Sequence, residues 1–466
     1  MEQTAKKKWQ VPNVYIIIML IALACALLTY ILPAGSYERI VNEQGRKIVD
    51  PTSFSYVDST PVGLFAYFQS FYKGLVESAS IVFFVFIIGG AFAVVEATGA
   101  IEAGLGKLTR ALAGREKVII PVAMLAFALG GSTFGMSEEI IPFVPIMVAL
   151  TVSMGMDSLV GAATVLCGSA VGFAGAFLNP FTIGVAQGIA GLPIASGLGF
   201  RLVMLAAFYL VTVTYLLMYA GKIQKDKTKS PMYELDMKRE DKLDLANLPP
   251  MTATHVAVLL IVLGAIVTFM YGVIRLDWYL AEMTAVFLIM GVLAAVVSRL
   301  GLNSFAEHLS KGMMNIAGGA LIIGFARAIL VILSDGLIID TILHAAAQWL
   351  STMHTGVGVT GMYIFQCFLN FLVPSGSGQA AVSMPIMAPL ADLLGITRQT
   401  AVVAFQIGDA LSNVFTPTSG FFMAGLALGK VPWAKWARWF LPLLLIQYAV
   451  GLVIVLIANA INLGPF

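Results

Sequence analysis

Long apolar runs dominate this chain, separated by short polar or glycine-broken stretches. Runs of about twenty apolar residues, enough for a helix to cross a bilayer, lie near 14–32, 78–95, 198–220, 254–273, 279–298, 313–333 and 440–461. Residues 61–76 form an amphipathic segment leading into the second run. Two further blocks are interrupted in the middle. One, 118–152, surrounds Gly130-Gly131-Ser132-Thr133-Phe134-Gly135-Met136-Ser137-Glu138-Glu139; the other, 358–392, surrounds Leu372-Val373-Pro374-Ser375-Gly376-Ser377-Gly378-Gln379. Their arms are short for a crossing, so the pattern predicts two re-entrant hairpins. Spans 158–195 and 399–429 are interrupted at Gly172, Gly175, Asn179 and Pro180, and at Pro417 and Gly420, which predicts half-helices meeting near the midplane. Lipid offers no partner to free backbone N–H and C=O groups, so such breaks belong in packed protein or on a wet cavity. Paired breaks are the best sequence pointer to a transporter's binding site.

The halves share a register. A displacement of 240 residues lays Ser377 on Ser137, Pro385-Ile386-Met387 on Pro145-Ile146-Met147, Gly395 on Gly155 and Gly408 on Gly168. After three lost residues, Thr416-Pro417-Thr418-Ser419 faces Asn179-Pro180-Phe181-Thr182, and Arg438 faces Arg201. The expected fold is an all-α polytopic membrane protein of about ten transmembrane helices in two repeats, 1–220 and 251–466, joined by a linker, 221–250.

Composition and charge give this picture its orientation. Of 466 residues 59% are hydrophobic and 11% charged, with mean hydropathy +0.91, far below the roughly 25% charged residues of a soluble domain. Most of the 27 Lys and Arg fall in segments placed in the cytoplasm: Lys6–Lys8, the loop with Lys107, Arg110, Arg115 and Lys117, the 221–250 linker, and Lys430, Lys435 and Arg438. Trp433, Trp436 and Trp439 suit an interfacial belt. The first hairpin then enters from the cytoplasm and the second from outside, which makes the repeat inverted. The N-terminus reads as a cytoplasmic, retained anchor. Residues 33–60, and the stretch with Asp335 and Asp340, read as outer loops. Cys25, Cys167 and Cys367 lack metal spacing, and His344 and His354, sharing an outer loop, form no ligand motif. Nothing suggests nucleic acid, a metal or a cofactor.

Half-helix N-termini offer N–H groups to anions, while unwound carbonyls coordinate cations. The candidate ligands are Ser132, Thr133, Ser137, Asn179 and Thr182 in the first half. In the second they are Ser375, Gly376, Ser377, Gly378, Gln379, Ser412, Asn413, Thr416 and Thr418. Glu138, Glu139 and Asp409 lie in apolar surroundings, where an ionised group costs at least about 2.5–3.5 kcal/mol. They need a cationic partner, a proton or water. Arg327 is the intramembrane base that could neutralise one, and Glu138 and Glu139, adjacent on a helix, would point two ways. Arg201 and Arg438 suit membrane anchoring.

Three motifs carry a resemblance: Pro33-Ala34-Gly35-Ser36-Tyr37-Glu38, Ser137-Glu138-Glu139-Ile140-Ile141-Pro142, and Gly408-Asp409-Ala410-Leu411-Ser412-Asn413 with Thr416-Pro417-Thr418-Ser419. They resemble the YfcC-type carrier family, related to the anaerobic four-carbon dicarboxylate carriers of the ion-transporter superfamily. The resemblance implies inverted repeats, a homodimer with elevator-like movement, and a place in the cytoplasmic membrane, with exchange of basic amino acids proposed for some members. Sodium symporters of that superfamily carry Ser-Asn-Thr at both hairpin tips. Here the tips read Ser137-Glu138-Glu139 and Ser377-Gly378-Gln379, which speaks against sodium coordination and a dianionic substrate.

The expected function is therefore secondary active transport of small amino acids, basic ones first, with H+ or Na+ as a possible coupling ion. The alternative is a proton- or sodium-coupled four-carbon dicarboxylate carrier. A channel fits paired inverted breaks less well. No nucleophile–base pair, metal motif or G-x-x-x-x-G-K-[ST] loop speaks for an enzyme or an ATP-driven pump.

Overall fold

The computed structural model describes residues 14–41, 47–101, 103–104, 107, 116–133, 135–179, 181–193, 196–239, 250–276, 278 and 280–464. Lys6–Lys8, Arg110, Arg115, Phe134, Pro180 and linker residues 240–249 lie outside them. Three helices open the chain: α1 (Val14–Ile31), α2 (Leu64–Glu77) and α3 (Ala79–Ala97). The first hairpin is α4 (Ile119–Thr133) and α5 (Phe143–Ser153), followed by α6 (Ser158–Ala174), α7 (Ile183–Ile189) and α8 (Leu198–Lys225). A short α9 (Tyr233–Met237) precedes α10 (Ala253–Leu276), α11 (Leu280–Val297), α12 (Leu302–Asp335) and α13 (Ile339–Ser351). The second hairpin is α14 (Thr355–Leu372) and α15 (Gly376–Leu393); α16 (Arg398–Ser412), α17 (Gly420–Leu428) and α18 (Trp433–Ala460) complete the chain.

Among the described residues, six helices are long and apolar enough to cross a membrane: α3, α8, α11, α12, α14 and α18. At 1.5 Å per residue, α4 and α5 reach only about 22 and 16 Å, short of the ~30 Å hydrocarbon core. The first hairpin thus has the short arms the pattern predicts, whereas α14 is long enough to cross. Phe65, Leu202, Ile289, Ile364 and Leu445 expose large apolar side chains, as lipid-facing surfaces do.

Local chemistry repeats with the register. Each hairpin ends in a left-handed glycine, Gly155 (φ 79) and Gly395 (φ 67), a conformation that costs any residue with a Cβ. Two residues later, Asp157 and Thr397 cap α6 and α16 by accepting from Val160 N and Thr400 N, an N-cap worth about 1 kcal/mol. Gly168 of α6 lets α4 approach at Met124 and Phe127, and Gly408 of α16 lets α14 approach at Gln366 and Cys367.

Long-range packing follows the same pairing. α6 and α16, buried almost throughout, lie against each other, as do α8 and α18, and α3 and α12. α7 packs on α15 and α16, while α17 packs on α5 and α6; α2 packs on α12, while α11 packs on α3. Each contact maps onto its partner when the halves are exchanged. The pairing is not complete: α17 also rests on α3 and α12, with Gly420 between Ile81 and Ile323, and α1 packs on α12.

Several elements differ from expectation. Within an otherwise helical fold, the outer loop carries two small antiparallel ribbons, Gly35–Ser36 with Ser55–Tyr56 and Arg39–Val41 with Lys47–Val49. Their strands are only two or three residues long, so no periodicity announces them. The stretch holding Asp340 and His344 is α13, and it clips this loop. Asp340 accepts from Tyr37 N (3.0 Å) and Arg39 Nη2 (2.9 Å), the Tyr37 hydroxyl meets His344 Nδ1 at 2.9 Å, and Phe54 stacks on the His344 ring at 3.8 Å. The described part of the linker is docked. Ser230 Oγ donates to Asp157, Ser158 N donates to Asp236, and Arg239 joins Asp236 to the Gly429 carbonyl of the second half. α8, α12 and α18 also run beyond their apolar cores.

Gly172 faces the Ala128 carbonyl with no room for a Cβ. Gly172→Val is expected to destabilise the protein by about 1–3 kcal/mol through overpacking, read as a lowered detergent Tm. Burial against its neighbours lowers the His344 pKa. The neutral ring is favoured in the fold, so the clip's contribution is present above the ordinary histidine range and lost as pH falls below it. Protease resistance of residues 35–56 should drop between pH 7.5 and 5.5, and His344→Gln should abolish that dependence.

Candidate functional site

The first hairpin and the first break form one knot. α4 ends at Thr133, and Gly135 turns the chain with φ 73 while its N donates to the Gly130 carbonyl at 3.1 Å. The Ser132 carbonyl accepts from Phe177 N (3.2 Å) and Leu178 N (3.1 Å). Asn179 Nδ2 donates to the Gly131 carbonyl at 2.9 Å, and its Oδ1 accepts from Phe181 N (2.9 Å) and Thr182 N (3.2 Å). Asn179 therefore spends its side chain on holding the break to the hairpin.

At the tip, 138–140 make a single 3-10 turn. Ser137 N donates to Glu139 Oε2 at 2.8 Å, and Ser137 Oγ donates to Glu138 Oε2. Because the segment is a turn rather than an α-helix, both carboxylates reach the same cavity, contrary to the expectation that they diverge.

The second half builds its counterpart from amides. Asp409 is buried on α16, and its Oδ1 accepts from Asn370 Nδ2 (2.9 Å) and Asn413 Nδ2 (3.0 Å). Asn370 also donates to Gln379 Oε1 (3.1 Å), and Gln379 Nε2 donates to the Gln366 carbonyl (2.9 Å) and Oε1 (2.8 Å). Thr418 Oγ1 donates to the Phe371 carbonyl at 2.9 Å, which ties the break to the hairpin. Ser375 caps α15 by accepting from Gly378 N. A Cβ on Gly376 would meet Thr182 Cγ2 at 2.5 Å and Asp409 Oδ2 at 3.0 Å, so the second tip touches the first break here.

Both tips and both breaks line one cavity of about 320 Å³. Of the expected ligands it brings together Ser137, Glu138, Glu139, Thr182, Ser375, Gly376, Ser377, Asn413 and Thr418. Ser132, Thr133, Asn179, Gly378, Gln379, Asp409, Ser412 and Thr416 are not on its wall. Ser132 and Thr133 donate back to the Leu129 carbonyl, Ser412 meets the Tyr448 hydroxyl at 2.6 Å, and Thr416 meets Thr418. Thr182 Oγ1 and Asn413 Oδ1 are buried without a protein partner, an open capacity that a ligand or water must meet.

Electrostatics correct one expectation. Arg327 lines the cavity but pairs with Glu77, Nε to Oε2 at 2.8 Å, and not with Glu138, Glu139 or Asp409. Glu77 ends α2, one residue before Ser78, itself on the cavity wall; the α2–α3 junction marked that boundary without revealing its role. Phe173, Phe181 and Phe421 also line the cavity, and sequence reasoning did not single them out. Arg201, expected at a membrane border, is fully buried. The tryptophans also differ from the belt expected: Trp433 Nε1 and Trp436 Nε1 donate to the Phe415 and Val414 carbonyls at the second break. Among the described residues no group of three His, Cys, Asp or Glu could hold a metal. A cation here would be held by single carboxylates with amide and hydroxyl oxygens.

A family model described as C4-dicarboxylate anaerobic carrier matches residues 11–460. The chain is 33% identical over 475 residues, 94% of each chain, to Escherichia coli K12 YfcC, provisionally named a basic amino acid antiporter. It is 27% identical over 497 residues, 97% of each chain, to an uncharacterized protein of Haemophilus influenzae Rd. Among solved structures it is similar to the Alcanivorax borkumensis YdaH transporter, with TM-score 0.43 and 18% identity over 97% of this chain and 100% of that one.

Gly376→Val should push the second tip off Thr182 and Asp409. Transport by the folded protein is expected to fall at least about tenfold, the effect of roughly 1.4 kcal/mol of misplacement, with detergent Tm shifted little. Wild-type flux in Gly376→Val would show that the tip contact does not matter.

Proposed function

The chain belongs to the C4-dicarboxylate anaerobic carrier family, and within it we propose a secondary active transporter of small amino acids, taking up or exchanging basic ones. The carrying observation is the charge of the cavity wall: two carboxylates, Glu138 and Glu139, against one arginine already paired with Glu77. A dianion would be repelled there, while a substrate with a side-chain cation and an α-carboxylate meets complementary groups. The substrate's cationic end lies at Glu138 and Glu139. Its α-carboxylate takes the N–H groups at the start of α15, near Gly376 and Ser377. Asn413 Oδ1 accepts from the α-ammonium, and the Thr182 hydroxyl supplies a further contact.

Asp409 sits one layer behind the tip, with only neutral amides around it, and serves as the site of a coupling proton or Na+. The halves act as inverted repeats about this cavity in an elevator-type alternating access, an assignment supported by the packing contacts that exchange with the halves. The resting of α17 on α3 and α12 would be exchanged for a matching seat of α7. The working form is a homodimer in the cytoplasmic membrane with a cytoplasmic N-terminus.

A second reading, a proton- or sodium-coupled four-carbon dicarboxylate carrier, is favoured by the family description. Proteoliposomes loaded with unlabelled arginine and given labelled arginine outside separate the two readings. Counterflow of arginine, competed by ornithine and not by succinate, is expected; saturable succinate uptake indifferent to arginine would reject basic amino acids. Glu138→Gln and Glu139→Gln should each weaken arginine-induced thermal stabilisation. Unchanged shifts in both would remove these carboxylates from the site.

A further inference from the structure

Arg201 is a fully buried cation in the first turn of α8, where the helix dipole is unfavourable to positive charge. The hydrogen-bond partners of its guanidinium are neutral. Nη1 donates to Gln406 Oε1, Nη2 to Gln399 Oε1 at 3.0 Å, and Nε to the Ser196 carbonyl at 3.4 Å. No described carboxylate pairs with it. Membrane anchoring and ion pairing both fail to account for a buried charge in this setting.

Gln406 shows where the interaction leads. It lies on α16, one turn before Asp409, and while its oxygen accepts from Arg201 its Nε2 donates to the Phe173 (3.1 Å) and Ala176 (2.9 Å) carbonyls. Phe173 is in the last turn of α6 and Ala176 lies two residues beyond its end. Ala176 N also donates to the Phe173 carbonyl at 3.1 Å, so Gln406 adds the side-chain donor to a backbone that is leaving the helix. The arginine also sets the amide's orientation, because the reversed amide would aim its oxygen at the carbonyls and its NH2 at the guanidinium. Arg201, Gln406 and the α6 end thus link α8, the second half's broken helix and the first break.

We propose that Arg201, acting through Gln406, is a positioning residue for the substrate cavity: it fixes the first break, from which Phe173, Phe181 and Thr182 reach the cavity wall. The proposal rests on the reading of that cavity as the transport site.

The decisive variant is Gln406→Glu, which gives Arg201 a carboxylate but removes both donations to the Phe173 and Ala176 carbonyls. A merely structural role predicts an equal or higher Tm and nothing else changed. The positioning role predicts a retained Tm with the KM for arginine counterflow raised about tenfold, as expected from the loss of one or two hydrogen bonds. It also predicts a more mobile nitroxide at exposed Leu178→Cys, placed in a chain whose three cysteines are replaced by alanine. Arg201→Lys should recover part of the loss seen in Arg201→Met. Gln406→Glu with wild-type KM and spectrum would overturn the proposal. If that variant does not fold, the paired Arg201→Met/Gln406→Met chain removes the charge and the amide together, and there too a wild-type KM and spectrum would overturn it. The nitroxide readout needs no substrate, so a wild type that carries no arginine, with a label still loosened by Gln406→Glu, would reject the transport reading alone.

Discussion

Everything in this transporter's core follows from backbone groups that lose their helical partners inside an apolar slab. A helix broken at membrane depth leaves carbonyls at one end and N–H groups at the other, and lipid can satisfy neither. The protein answers with side chains, some from the break itself and some brought from elsewhere. At the first break Asn179 serves the N–H groups of Phe181 and Thr182, and Gln406 serves the carbonyls of Phe173 and Ala176. At the second, Trp433 and Trp436 serve Phe415 and Val414. These side chains hold the unwound segments in place, so that the remaining free groups are turned toward one cavity.

The same constraint explains the distribution of charge. Glu138 and Glu139 share a 3-10 turn and hydrogen bonds from Ser137, which holds two like charges at one wall without a protein counter-ion between them. Asp409 is instead surrounded by the amides of Asn370 and Asn413, and Arg201 by glutamines. Asp409 and Arg201 are thus solvated by fixed dipoles rather than by counter-ions. Arg327 is satisfied by Glu77 rather than by Glu138 or Glu139.

Much of this was legible in the chain. The hairpins, the breaks and the 240-residue register follow from hydropathy and from glycine and proline positions, because a bilayer imposes a length scale and glycine a left-handed turn, as at Gly155 and Gly395. The resemblance carried by the Ser137-Glu138-Glu139 and Gly408–Asn413 motifs pointed to the carrier family that the whole-chain comparison then showed. The ribbons at 35–56, the helix holding His344 and the docking of the linker through Asp236 and Arg239 were not legible. The ribbon strands are too short to show a period, and the clip and the linker docking depend on partners hundreds of residues away.

The sequence alone determined that the chain lies in a membrane, where its helices are interrupted, and which polar residues stand at the interruptions, since these are properties of local composition against a fixed thickness. Only the tertiary structure decided which of those residues face the cavity and which hold it open. Asn179 and Gln379 look like ligands in sequence, yet their hydrogen-bonding capacity is taken up by neighbours; Arg201 looks like an anchor, yet it is buried among glutamines. The reason is physical: a side chain's role depends on which donors and acceptors fall within about 3 Å of it, and that is decided by packing between segments that share no sequence neighbourhood.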